Sequence, residues 1–302
     1  MKQKIKITLW AKLALLIVAI IWGSSLVVVK STANHLSPCF LLAMRFTISC
    51  VILCIVFHRK LSLLNRNYFK CGAIIGSCLF AAYCSQTLGV MFTMPGKSAF
   101  LSSVYCVIVP FLFWAVDKNK PDLYNVLAAV ICTVGVGLTS MTSCFSISKG
   151  DSLALLSGFF FASHIVSVAK FGKGKDPFLI TILQFGFSAA FSWIASAVMV
   201  QGPIQWTTQD VAGVLYLSVM CTTVSLLLQN IGQKYIDPSS AAIVLSLESV
   251  FGIVFSVIVF HEALNLRLVI GFVLIFTAVF VSETKLSFIK GIMAISKKVN
   301  KF

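Results

Sequence analysis

Long apolar runs recur along this chain, each bounded by a proline, a glycine or a charged residue, and these marks divide it into ten segments. They fall at residues 12–30, 38–57, 69–92, 97–116, 122–141, 151–170, 177–200, 210–232, 238–260 and 266–284. Each has the roughly 17–25 residues that a helix needs to cross a bilayer. Barrel strands would read as segments of about ten residues with polar alternation, a pattern this chain lacks. Helices are therefore expected, with connections too short for a soluble domain.

Polar residues inside these segments recur at helical spacing. The fourth carries Ser98, Ser102, Tyr105 and Val109, and the eighth carries Thr222, Ser225, Gln229 and Gln233. One turn separates Tyr83 from Gln86 in the third and His164 from Ser167 in the sixth. Arg45 with Ser49, and Gln184 with Ser188 and Ser192, mark the second and seventh. Lipid accommodates such stripes poorly, so these faces are expected to turn inward, toward interhelical hydrogen bonds or a wet central cavity.

Composition supports this reading. Hydrophobic residues make up 59% and charged residues 11%, with a mean hydropathy of +0.98, which describes an integral membrane protein. The start, with Lys2, Lys4 and Lys6, imitates a secretory signal, but the apolar run continues to Val29 without a small-residue cleavage site and reads as a retained span. The net charge of +15 follows topology and forms no single patch, so nucleic acid is not an expected partner. With ten spans, Lys and Arg divide nineteen to four between the two sides, with Arg45 inside a span. That bias predicts a multi-pass protein of the cell (inner) membrane with both termini cytoplasmic. Cys50, Cys54, Cys71, Cys78, Cys106, Cys132 and Cys221 all lie inside apolar spans and no pair shows zinc-ligand spacing, so no metal, disulfide framework or cofactor is expected. His261-Glu262 begins like a zincin motif but lacks the second histidine, and there is no P-loop, dinucleotide fingerprint or nucleophile elbow. An enzyme is not expected.

An internal repeat follows from sliding the chain by 139 residues. Trp22-Gly23 then meets Phe161-Ala162, Pro38 meets Pro177, Arg45-Phe46 meets Gln184-Phe185, and Ser49 meets Ser188. Toward the end of each half the register drifts by a few residues. This predicts an all-α fold of ten transmembrane helices, built as two five-helix repeats (1–144 and 145–286) around a central cavity, with a basic tail at 287–302. Five is odd, so the second repeat would be inverted, a common plan of secondary transporters with the substrate at the midplane.

Glu248 stands near the middle of the ninth segment, the acid deepest in any apolar run. A carboxylate there is costly unless it is paired, protonated or facing a polar cavity, and it suits a substrate ammonium or a proton. Arg45, at a comparable depth by helix rise, is its candidate partner in a structural or gating ion pair. The expected cavity wall comprises Trp22, Ser24, Tyr83, Gln86, Ser102, Tyr105, His164, Gln229 and Glu248. Rings would supply flat apolar surface there, while amides and hydroxyls would orient polar groups. Gly72 with Gly76, and Ala242, Ser249, Gly252 and Ser256, are expected to pack helices closely, and Pro110 to kink the fourth span.

At Trp22-Gly23-Ser24-Ser25, Pro38 and Arg45-Phe46, then at Leu247-Glu248, Val250-Phe251, Glu262, Leu264 and Gly271, the chain resembles the EamA-type branch of the drug/metabolite transporter superfamily. The resemblance spans residues 10–284 and implies ten helices in inverted halves. It also implies alternating-access movement of small metabolites such as amino acids, often outward. Ser249 stands where that family usually has proline, implying a straighter ninth helix. The acid that small multidrug exporters carry in their first helix has no counterpart between Lys12 and Lys30, which weighs against proton-coupled multidrug efflux. The other alternative is a non-transporting sensor or assembly protein, which needs no cavity. Expected partners are a small-molecule substrate, the lipid bilayer and, as coupling ion, protons. The chain would act as a monomer or weak homodimer.

Overall fold

A computed structural model describes residues 2–118, 120, 121, 123–140, 147–199 and 206–284. The boundary expected at 144/145 and the basic tail at 287–302 lie outside the described residues. The elements are helical: α1 (Lys2–Thr32), α2 (Pro38–Val56), a 3-10 turn (His58–Leu63), α3 (Arg66–Met91), α4 (Pro95–Ser102), α5 (Tyr105–Asp117) and α6 (Leu123–Ser140). There follow α7 (Lys149–Phe171), α8 (Pro177–Val198), α9 (Thr208–Tyr216), a π-helical segment (Leu217–Val224), α10 (Ser225–Gln233), α11 (Pro238–Ser246), α12 (Glu248–Phe260) and α13 (Leu266–Thr284).

Local chemistry sets the starts. Proline, whose missing N–H costs nothing in a first turn, opens α2, α4, α8 and α11. Side-chain oxygens of Asn65, Ser148, Asp176, Thr207 and Asp237 cap the starts of α3, α7, α8, α9 and α11. Counting broken helices as one, eight spans among the described residues are long and apolar enough to cross a membrane, Ile7–Thr32 first and Pro238–Phe260 last. Two further apolar helices, α6 and α13, pack side by side. Large apolar side chains such as Ile55, Ile194, Val198 and Ile258 stay exposed on the outside, where lipid would cover them.

The packing is reciprocal between the two halves. Helix α7 packs on α3, α4 and α5, while α1 packs on α10, α11 and α12. Helix α4 meets α12 as α5 meets α11, and α2 meets α8. Small residues set the closest crossings: Gly23 of α1 lies on Phe251 and Gly252 of α12, and Gly72 and Gly76 of α3 lie on Leu183, Gln184 and Phe187 of α8.

Two spans are interrupted at matching places. One breaks at Ser103–Val104, between α4 and α5, and the other at Leu247, between α11 and α12. The openings Pro95 and Pro238, the restarts Tyr105 and Glu248, and the left-handed ends Lys118 (φ 63°) and His261 (φ 50°) are matched pairs, each at the same spacing. Two expectations need correcting here. The break precedes Pro110, which sits inside α5, and the ninth span is broken although Ser249 replaces proline. Serine hydroxyls accompany both breaks, donating to carbonyls beside them. Ser103 Oγ bonds the Ala99 carbonyl at 2.7 Å, Ser246 Oγ that of Ile243 at 2.7 Å, and Ser249 Oγ that of Ser246 at 2.7 Å.

A Cβ at Gly76 would lie 2.8 Å from Phe187 Cβ and 2.9 Å from the Gln184 carbonyl oxygen, whereas one at Gly186 meets only Cys50 Sγ at 3.7 Å. Gly76→Leu should therefore cost about 1–3 kcal/mol through overpacking. In thermal melts of the detergent-purified protein its midpoint should fall clearly, while that of Gly186→Ala should hold or rise.

Candidate functional site

Glu248 is the first residue of α12 and is buried at the centre of the bundle (7% exposed). Its counterpart in the other half, Tyr105, opens α5, and the two side chains are neighbours. No hydrogen bond of good geometry closes on the Tyr105 hydroxyl. Beside Glu248 lies a cavity of about 10 Å³, lined by Trp22, Ser25, Leu26, Tyr83, Gln86, Ala99, Phe161 and Glu248. That is room for about one water molecule. Aromatic rings close it in: Tyr83 meets Phe46 and Phe161 edge-on, each at 5.4 Å, and Tyr105 lies 6.1 Å from Phe161.

Of the nine residues expected on the wall, Trp22, Tyr83, Gln86 and Glu248 line this cavity. Ser102 adjoins it by accepting from Gln86 Nε2 at 3.3 Å, and Tyr105 adjoins it through Glu248. The other three lie elsewhere. Ser24 bonds the Ile21 carbonyl and the Tyr216 hydroxyl (2.6 Å), His164 pairs with Gln184 at 3.1 Å, and Gln229 donates to Gln233 at 3.3 Å. Sequence reasoning missed Ser25, Leu26, Ala99 and Phe161 as wall residues. Phe161 was within reach, since the 139-residue offset aligns it with Trp22.

The ion pair expected between Arg45 and Glu248 is not formed. Among the described residues the ion pairs are His35–Asp210, Lys60–Asp176 and Lys97–Asp151. Arg45, 1% exposed, instead donates from Nε to Thr222 Oγ1 and lays its guanidinium over the Tyr83 ring, 4.6 Å from the centroid. Its Nη2 has no partner. Helix rise alone suggested the pairing because it fixes depth and not direction; Tyr83 stands beside both groups.

The π-helical segment gives Arg45 its acceptor. Widening the helix shifts its hydroxyl bonds to the fifth residue back: Thr222 to Leu217, Thr223 to Ser218 and Ser225 to Met220, each at 2.8 Å. Carbonyls there also receive side chains from the first half, Trp22 Nε1 on Cys221 at 2.9 Å and Ser49 Oγ on Ser218 at 2.8 Å.

Comparison with known proteins places this geometry. The sequence profile of the EamA-like transporter family matches twice, over residues 9–141 and 148–284. The chain belongs to the EamA-like transporter family. An uncharacterized transporter of Archaeoglobus fulgidus is 33% identical over 277 residues, covering 90% of this chain and 85% of that one. The uncharacterized transporter YvbV of Bacillus subtilis is 25% identical over 280 residues, covering 90% and 91%. A crystal structure superposes with a TM-score of 0.65 at 16% identity, covering 90% of this chain and 96% of that chain, and so shares the fold. This EamA-like protein is thus a multi-pass membrane transporter by family.

Removing the acceptor of Arg45 leaves a buried charged donor unsatisfied. Thr222→Val in this transporter should cost about 1–3 kcal/mol. The thermal midpoint should drop, whereas Thr133→Val, on an exposed face where Thr133 bonds only the Ala129 carbonyl of its own helix, should leave it nearly unchanged.

Proposed function

We propose that this protein is a secondary transporter that moves small metabolites, amino acids or related compounds, by alternating access, as an exporter or exchanger. The observation that carries the reading is Glu248 on the wall of an enclosed cavity, at the point where one broken helix of each half restarts. Broken helices beside a midplane cavity are the recurring way transporters offer polar groups to a substrate. A carboxylate there, with an incompletely satisfied guanidinium at Arg45 beyond Tyr83, suits a zwitterion: ammonium toward Glu248, carboxylate toward Arg45.

Ten helices in two inverted halves are the architecture we infer. The double family match, the reciprocal packing and the paired breaks support it. The halves would be 1–144 and 145–286, with both termini cytoplasmic in the cell (inner) membrane by the distribution of Lys and Arg.

Alternating access would break the contacts at each end of the bundle in turn. One end is held by Lys97–Asp151 at 2.7 Å, by Lys30 donating to the Thr93 carbonyl, by His35–Asp210 at 3.0 Å, and by Glu262 accepting from the Gly96 N–H at 3.1 Å. The other is held by Lys60–Asp176 at 2.7 Å and by Tyr68 accepting from the Asp176 N–H at 3.0 Å.

The test is flux of radiolabelled amino acids and nucleoside-like metabolites in proteoliposomes, with and without a pH gradient. Glu248→Gln should cut flux about tenfold or more at unchanged folded yield, since it removes the one ionisable carboxyl on the cavity wall. Flux near that of the unmodified protein would remove Glu248 from the mechanism. Drive by an imposed pH gradient would mark proton coupling; its absence would mark a facilitator or exchanger.

A further inference from the structure

A second recess lies away from Glu248, at the end of the bundle that carries Lys60 and Asp176. About 300 Å³ in volume, it sits between the end of α7, the start of α8 and the end of α10, and Lys173, Lys175 and Lys234 stand around it. The turn 172–175, closed by Lys175 N–H on the Gly172 carbonyl at 3.0 Å, sets Lys173 and Lys175 on the same rim. Gly174 makes that turn possible, since its φ of 75° is strained for any other residue.

None of the three lysines is ion-paired among the described residues. The acids next to them in sequence are engaged elsewhere: Asp176 holds Lys60 and caps α8, and Asp237 caps α11. The recess therefore carries uncompensated positive charge. Its inner wall bears two buried amides, Asn230 (4% exposed) and Gln233 (7%). Asn230 Nδ2 donates to Thr181 Oγ1 at 2.8 Å, but its Oδ1 has no partner. A buried acceptor left open is costly unless a ligand donates to it. Val168, Pro177 and Ile180 supply an apolar side.

Three requirements follow: an anion for the lysines, a hydroxyl donor for Asn230 Oδ1, and a short carbon frame between them. We propose that this recess binds a hydroxyl-bearing phosphate ester. That chemistry is shared by an anionic phospholipid headgroup such as phosphatidylglycerol and by a free glycerol phosphate. The position favours either source, because helix ends lie at headgroup depth and also face the aqueous side.

The experiment uses the full chain purified in neutral detergent and follows its thermal midpoint. The probes are phosphatidylglycerol, phosphatidylcholine, glycerol 3-phosphate and inorganic phosphate. Phosphatidylglycerol, glycerol 3-phosphate or both should raise the midpoint by several degrees, and phosphatidylcholine should not. A response to the lipid alone assigns the site to the bilayer, and one to glycerol 3-phosphate assigns it to a soluble ester. Lys173→Gln, Lys175→Gln and Lys234→Gln together should weaken the response about tenfold or more, since they remove the charges that attract the anion. Lys70→Gln, on the exposed start of α3, should not weaken it. Asn230→Asp, which keeps an acceptor for Thr181 but adds a negative charge, should weaken it as well. The proposal is overturned if neither ester shifts the midpoint, if the triple variant responds as the unmodified protein does, or if inorganic phosphate matches the ester.

Discussion

A carbonyl released from a helix inside hydrocarbon has no water to turn to, and the centre of this protein is arranged around that demand. Three spans depart from regular α-helix near the middle of the bundle: the two breaks at Ser103–Val104 and Leu247, and the π-helical segment Leu217–Val224. Serine and threonine hydroxyls accompany all three. Ser103, Ser246 and Ser249 attend the breaks, and Thr222, Thr223 and Ser225 attend the π segment. Each such bond contributes only about 1 kcal/mol. Together they allow irregular backbone where lipid would otherwise enforce regularity.

The same demand ties the two halves together. Ser218 and Cys221 in the π segment expose carbonyls that Ser49 and Trp22 reach from the other half, and Thr222 anchors Arg45. Arg45 is thereby fixed over Tyr83, a ring that also lines the cavity beside Glu248. Backbone irregularity, a buried cation and the cavity wall thus form one connected unit. Thr222 is thereby linked to the cavity wall by contacts through Arg45 and Tyr83.

Much of the fold was legible in the runs of apolar residues and their terminators. The prolines at 38, 95, 177 and 238 each open a helix, and the polar stripes of α4, α5 and α10 are buried. The 139-residue register aligned Trp22 with Phe161, both on the cavity wall. What periodicity could not supply was the breaks. Proline content pointed to Pro110 and away from the ninth span, because sequence signals weigh the residue that disrupts a helix and not the hydroxyls that let it be disrupted. The adjacent Thr222, Thr223 and Ser225 were a readable sign of the π segment, seen in advance only as part of a stripe. Arg45 and Glu248 were matched by depth alone, and direction around a helix axis, which set Arg45 on Thr222 and over Tyr83, is invisible to such a measure.

The tightness of the central cavity limits what it can hold in this conformation. With space for about one water molecule between Trp22, Tyr83, Phe161 and Glu248, this cavity holds a single solvent molecule and not a file of them. Tyr83 and Phe161, meeting edge-on at 5.4 Å, leave no room beside Glu248 in this cavity for anything bulkier than water.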